Sequence, residues 1–187
     1  VTRDLRAARA GFRIAALPDR RTAIFDAARE SIRAFKSAAD ARERRIVVLV
    51  SDGLDTASAT TPAGVVEEAR AAGVSFYVIH VPLYEPRGGH LAARRPSKGF
   101  RDLAEKTGGR FFVVGDASSA LDPRAEHDLA PIFRAVAEDL ESQYLVGYQA
   151  SAAGREPGLH RVDVQFAAPR GRGLRVRQLR DSYEAQR

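Results

Sequence analysis

The chain has no cysteine, no methionine and no tryptophan. Without cysteine there are no disulfides, no thiolate metal sites and no Cys nucleophile, although the redox compartment stays open because a secreted protein need not carry disulfides. The lack of Met, together with Val at position 1, leads us to expect a chain that is processed, trimmed or part of something longer. Long apolar runs are missing too, and none approaches the roughly 20 residues of a membrane-spanning helix. The opening stretch VTRDLRAARAGFR is charged and has no apolar core segment, so no signal peptide is visible there and one would have to lie upstream. Lysine is scarce, with 3 lysines against 27 arginines.

What is present describes a folded domain. The chain has 187 residues, of which 44% are hydrophobic and 29% charged, enough to bury a core. The formal charge of +6 invites a nucleic-acid reading. The arginines, however, are spread along the whole chain and accompany no recognisable nucleic-acid module, so no nucleic-acid partner is expected.

Hydrophobic periodicity gives the element order. Ile24, Ala28, Ile32 and Phe35 predict a helix over 22–37, with Thr22 as its N-cap. Ile46 to Val50 read as a strand buried on both faces, ending at Ser51-Asp52-Gly53. Thr61-Pro62 opens a helix that Gly73 closes, and Val74 to Val81 form a second buried strand. Residues 83–97 read as a long basic loop. A third helix follows, with Phe100, Leu103, Ala104 and Thr107 on one face, and then a third strand over 110–114. Residues 126–141 predict the clearest helix, with Leu129, Ile132, Phe133, Val136 and Leu140 in one stripe. Beyond it the period becomes two: Tyr144, Val146 and Tyr148, then Val162, Val164 and Phe166, then Leu174 and Val176 alternate with their neighbours as half-exposed antiparallel strands. Tyr144 and Tyr148 are expected to pack this extension on the sheet.

The fold class that follows is α/β: a doubly wound, mostly parallel, three-layer sheet over residues 1–142, with a C-terminal antiparallel β extension over 143–187. Ligands of such sheets bind beyond the carboxyl ends of the strands. Asp52 lies at such an end and is the leading site candidate, either as a hard-cation ligand or as ordinary Asp-Gly turn chemistry. Thr22 would begin its helix on the same rim. Asp55 and Thr56 follow in the Asp52 loop as turn and cap residues.

These segments resemble the von Willebrand factor type A domain. The stretch RRIVVLVSDG at 44–53 is similar to that family's strand and Asp-Gly turn, and RTAIFDA at 21–27 is similar to its Gly-Gly-Thr-Ala-Leu-Tyr-Asp-Ala segment. AAGVSFYVIHV at 71–81, LAEKTGGRFF at 103–112, LESQYLVGY at 140–148 and a closing strand pair from His160 to Val176 resemble, in order, a bacterial subgroup described as VWFA-related. The resemblance implies a protein-interaction module for adhesion or assembly, non-enzymatic, secreted or at the cell envelope. It also implies a metal-ion-dependent adhesion site, with Thr22 as the second-loop Thr and Asp52 as the third-loop Asp. Mg²⁺ or another divalent cation would sit there with a position left open for a partner's carboxylate.

The chain departs from the family pattern at that site. The family's Asp-x-Ser-x-Ser motif is absent, and position 21 is Arg where the family has Gly. The resemblance therefore predicts a domain without its leading strands. Thr22 and Asp52 remain as a partial site that would hold a cation only weakly, and the strand at 46–50 becomes a bare edge.

Other chemistry is poorly supported by the sequence. A phosphoryl-transfer enzyme using Asp52 as nucleophile is the alternative, but a phosphatase-like site wants a second Asp two residues on, where Leu54 stands. His80, His90, His127 and His160 have no metal-ligand spacing, and His80 is expected to pack within its strand. Arg87, Arg94 and Arg95 around Gly88-Gly89 read as a solvated loop rather than a phosphate grip.

Overall fold

The computed structural model describes residues 4, 6, 21–36, 44–122, 124–144, 146–151, 156–165, 176–178 and 181–185. Along them run α1 (Ile24–Lys36), β1 (Arg45–Ser51), α2 (Pro62–Ala72), β2 (Val74–His80), β3 (Tyr84–Arg87), β4 (His90–Ala93), α3 (Phe100–Glu105), β5 (Phe111–Val113), α4 (Ala130–Glu141), β6 (Gly158–Arg161) and β7 (Ser182–Ala185).

Strand β2 organises the sheet. It lies between β1 and β5, parallel to both, and all seven of its residues are buried. Period-two alternation sends Val74, Phe76 and Val78 to one face, where they meet Ile24, Phe25, Ala28 and Ile32 of α1, Val65 and Ala69 of α2, and Phe100, Leu103 and Ala104 of α3. Burying a large apolar side chain fully is worth about 1.5–3 kcal/mol, so this face holds much of the fold's stability. Tyr77 points to the other face, where its hydroxyl donates to Asp139 Oδ2 of α4 at 2.7 Å. With α1, α2 and α3 on one side and α4 on the other, the sheet is the middle of three layers.

The start of β2 is braced by the chain leaving α3. Thr107 is fully buried; its Oγ1 accepts from the Phe76 amide at 2.9 Å and donates to the Leu103 carbonyl at 2.5 Å. Gly109 passes so close that a Cβ there would lie 1.9 Å from the Phe76 carbonyl oxygen. Helix α2 is capped as its sequence predicts: Thr61 accepts from the Gly64 amide, and Gly73 turns left-handed at φ 65°.

Four expectations are corrected. Strand β1 is not buried on both faces: Val47 and Leu49 pack on the core, but Val48 and Val50 are 37% and 53% exposed, and among the described residues no strand flanks β1 on its far side. The segment 83–97 is largely an antiparallel hairpin, β3 with β4, turned by Gly88 and Gly89, both at positive φ as a two-residue turn of this kind requires. The last helix starts at Ala130 rather than 126, since Pro131 suits a first turn. In the extension, Tyr144, Val146 and Tyr148 form no strand and are all well exposed, and Tyr148 meets Tyr183 edge-on instead of packing on the sheet.

The observed strands of the extension are β6 and β7, paired antiparallel, with His160 stacked on Tyr183. Val162, Val164 and Val176, expected in strands there, lie in none, and Phe166 and Leu174 lie outside the described residues. Two ion pairs tie the extension to the sheet layers: Arg70 to Asp181 at 2.5 Å, and Arg177 to Asp139, with Arg177 also donating to the Gly109 carbonyl at 2.9 Å.

Candidate functional site

The carboxyl ends of β1, β2 and β5 make one rim, formed by Ser51-Asp52-Gly53, Val81 and Val114-Gly115-Asp116. At the end of β1 the turn is built from its own polar atoms. Asp52 Oδ1 accepts the Leu54 amide at 2.9 Å, and Ser51 Oγ accepts the Gly53 amide at 3.1 Å. His80, packed against Phe100 and Phe111, donates from Nε2 to the Asp52 carbonyl at 3.0 Å. The buried histidine thus fixes the backbone of the residue that carries the candidate carboxylate. Gly53 at φ 80° is required, because a Cβ would lie 2.6 Å from Pro96 and 2.9 Å from Phe100.

The loop after Gly53 clamps the start of α1. Asp55 Oδ2 accepts the amides of Ile24 at 2.7 Å and Phe25 at 3.3 Å, and Ser58 Oγ takes those of Phe25 and Asp26. Asp26 answers by accepting the Ala59 and Thr60 amides. Burial works to raise the Asp55 pKa, but the bonds from the Ser58 hydroxyl and amide and from Phe25 and Ile24 outweigh it and hold the carboxyl below its ordinary value. Asp26 is lowered as well, by the Thr60 hydroxyl first and then by the Ala59 and Thr60 amides.

Thr22 therefore does not cap the helix. Its main chain joins the two loops instead: its carbonyl accepts from Thr56 at 2.8 Å and Ala57 at 3.1 Å, and its amide donates to Thr56 Oγ1 at 2.8 Å. The capping is done in trans by Asp55, about thirty residues away. Ser97 completes the assembly by donating its amide to the Gly53 carbonyl and accepting the Asp55 amide.

The rim thus brings the Thr22 loop and the Asp52 loop into direct contact. What it offers a cation is limited. Asp55, the other carboxylate of the loop, is spent on helix amides, and among the described residues no three His, Cys, Asp or Glu side chains gather as a metal ion would need. Asp52 with Thr22 does not fit a hard divalent ion, which wants about six oxygens.

A second rim feature was missed by the sequence reading. Between the β3–β4 hairpin and the segment after β5 runs a groove with Asp116, Ser119 and His127 in its lining. The Asp116 carboxyl is held down at about 2 by the Ser119 amide, the Ser118 hydroxyl and the Ser119 hydroxyl, in that order. The rule that singled out Asp52, an Asp directly beyond a parallel strand, would have found Asp116 as well.

Comparison with known proteins bears on these loops. The sequence profile of the von Willebrand factor type A domain matches residues 12–125. No curated protein matches the chain. Among solved structures, the chain is 18% identical to an aerotolerance-related membrane protein from Bacteroides fragilis, with TM-score 0.49, covering 76% of this chain and 71% of that one. It is 19% identical to the conserved hypothetical protein BatB from Bacteroides thetaiotaomicron, with TM-score 0.43, covering 67% and 63%. An uncharacterized membrane-spanning protein from Vibrio fischeri is also 19% identical, with TM-score 0.37, covering 70% and 62%. The chain thus spans less than two thirds of the latter two.

Proposed function

The chain belongs to the von Willebrand factor type A domain family, whose members are generally protein-interaction modules without enzymatic activity, and from that premise we propose that it meets a protein partner on the rim formed by the Thr22 and Asp52 loops. Of the family's adhesion site the described residues supply Thr22 and Asp52, and those two alone bind Mg²⁺ weakly or not at all. The module acts in adhesion or assembly, in a secreted or cell-envelope setting by analogy with the family. Among the described residues no helix is long and apolar enough to cross a membrane.

One observation carries this reading. The loops that bear Thr22 and Asp52, thirty positions apart in sequence, are stitched together by the Thr22–Thr56 and Asp55–Ile24 bonds. That stitching presents a fixed polar surface at the end of the sheet, where doubly wound folds engage their ligands. It organises backbone and loop shape, which a recognition surface needs.

Site-specific photo-cross-linking in the cell of origin tests the proposal. Ala57 is exposed on the rim and joins Thr22 through its backbone alone, so p-benzoylphenylalanine can replace it without breaking that bond. Lys106, exposed just beyond α3 at the opposite end of the sheet, is the control position. Adducts with one protein from position 57 and none from 106 are expected. Equal labelling from both positions, or none from 57, contradicts the proposal.

A further inference from the structure

We propose that the groove between the β3–β4 hairpin and the segment after β5 binds a partner segment presenting an aliphatic side chain next to a Lys or Arg. The proposal rests on the interaction-module reading but assigns a surface separate from the Asp52 loop.

The groove has two unlike halves that share Gly115, Asp116, Ser119 and His127. One half, about 300 Å³, has apolar walls from Leu83, Tyr84, Leu91, Val114 and Leu121. Leu83 is 45% exposed and Leu121 72% exposed, so two leucines on a concave surface face water. Unfilled apolar concavities of this kind mark sites of association. The other half is a shallow hollow of about 520 Å³ whose charged lining is Asp116 and Asp122.

Charge selects the occupant. Of 187 residues, 30 are Lys or Arg, yet neither type lines either half, and the one imidazole there is that of His127. Two of the hairpin segment's guanidinium groups are engaged elsewhere: Glu85 holds Arg87 at 3.1 Å and Arg94 at 3.5 Å. The Ser118 hydroxyl and Ser119 amide both bond Asp116 Oδ1, and Asp122 Oδ1 accepts the Arg124 amide. These bonds come from neutral groups, and among the described residues no Lys or Arg of the lining is paired with either carboxylate. A net positive molecule with a local acidic and apolar groove is complementary to a segment that is basic and apolar at once. The aliphatic group fills the space under Leu83 and Leu121, and the cation reaches the carboxylates beside it.

Fluorescence anisotropy with the intact chain tests this through three labelled hexapeptides. In the first, leucine alternates with arginine. In the second, glutamate replaces arginine, and in the third, serine replaces leucine. The first peptide should bind, and the other two should bind about tenfold more weakly or not at all. Asp116→Asn keeps the acceptor for Ser118 and Ser119, and Asp122 and Leu121 are exposed, so none of these variants should unfold the chain. Asp116→Asn and Asp122→Asn should each weaken the first peptide by about threefold, as exposed ion pairs do. Leu121→Ser should weaken it by about tenfold.

Equal binding of the glutamate peptide, or variants without effect, would overturn the proposal. So would a first peptide that fails to bind while the chain self-associates, since a second copy would then be the occupant. Failure here with the position-57 cross-link intact removes the groove and leaves the rim. Loss of the cross-link with peptide binding intact does the reverse.

Discussion

Strands β1 and β2 lie side by side, in register from Arg45 opposite Val74 to Ser51 opposite His80, and both are rich in apolar residues. Every residue of β2 is buried, whereas Val48 and Val50 of β1 face solvent. Composition does not account for the contrast, because IVVLV is at least as apolar as VSFYVIH. Neighbours account for it. Strand β2 has a strand on each side and helices on both faces; β1 has one strand partner and helices on one face among the described residues. Burial is a property of a place in the sheet and not of a strand's composition alone.

The largest expected effect separates the two strands directly. Phe76→Ala empties the centre of the core and should destabilise by about 3–5 kcal/mol, while Val50→Ala on the exposed face of β1 should cost well under about 1 kcal/mol. Urea titration of both variants measures the difference, and comparable losses would mean that β1 is covered in solution.

The second effect concerns the β2 face that β1 lacks, the one closed by α4. Asp139→Ala leaves the buried Tyr77 hydroxyl without its acceptor and Arg177 without its carboxylate. The expected loss is about 2 kcal/mol. Burial first, then the Asp139 bond and charge, push Tyr77 up to about 12 from 10.0. A raised pKa means that the folded state favours the protonated phenol. This contribution is therefore complete below pH 10 and is lost as pH rises from 10 toward 12. Thermal melts across that range should show the decline in the parent chain and a smaller decline in the variant.

The smallest effect is at the end of β1, where its loop clamps α1. Asp55→Ala removes the trans cap of Ile24 and Phe25 and should cost about 1 kcal/mol at neutral pH. The folded pKa of Asp55 lies below the ordinary value of 3.8, so its contribution is full above that pH and disappears as pH falls through the lowered value. Acid titration followed by circular dichroism should show the parent losing stability below about pH 4, with the variant losing less.

What could be read from the sequence followed the range of the interactions. The buried β2 run, the Thr61-Pro62 start and the Gly73 stop are local signals, and the structure has them all. The motif resemblance located the Thr22 and Asp52 loops, and their meeting on one rim depends on parallel topology that the helix–strand alternation had already implied. The exposure of Val48 and Val50 was hidden because it depends on what lies beside the strand. Asp55 looked like a turn residue because its partners, Ile24 and Phe25, are some thirty positions upstream. Asp139 sat unnoticed in an apolar helical stripe, since only the fold brings Tyr77 and Arg177 to it. The alternation at 144–148 was misleading for the opposite reason: a period of two is a necessary sign of a half-exposed strand, but without a paired neighbour it specifies nothing.

We propose that this module recognises a protein through the shape of its rim loops and not through a resident cation. The most direct measurement is the yield of the position-57 cross-link with Mg²⁺ present and with the chelator EDTA in its place. The same adduct in the same yield is expected under both conditions. Loss of the adduct in EDTA and its return with Mg²⁺ would contradict it, because a cation would then be held where Thr22 and Asp52 alone do not suffice.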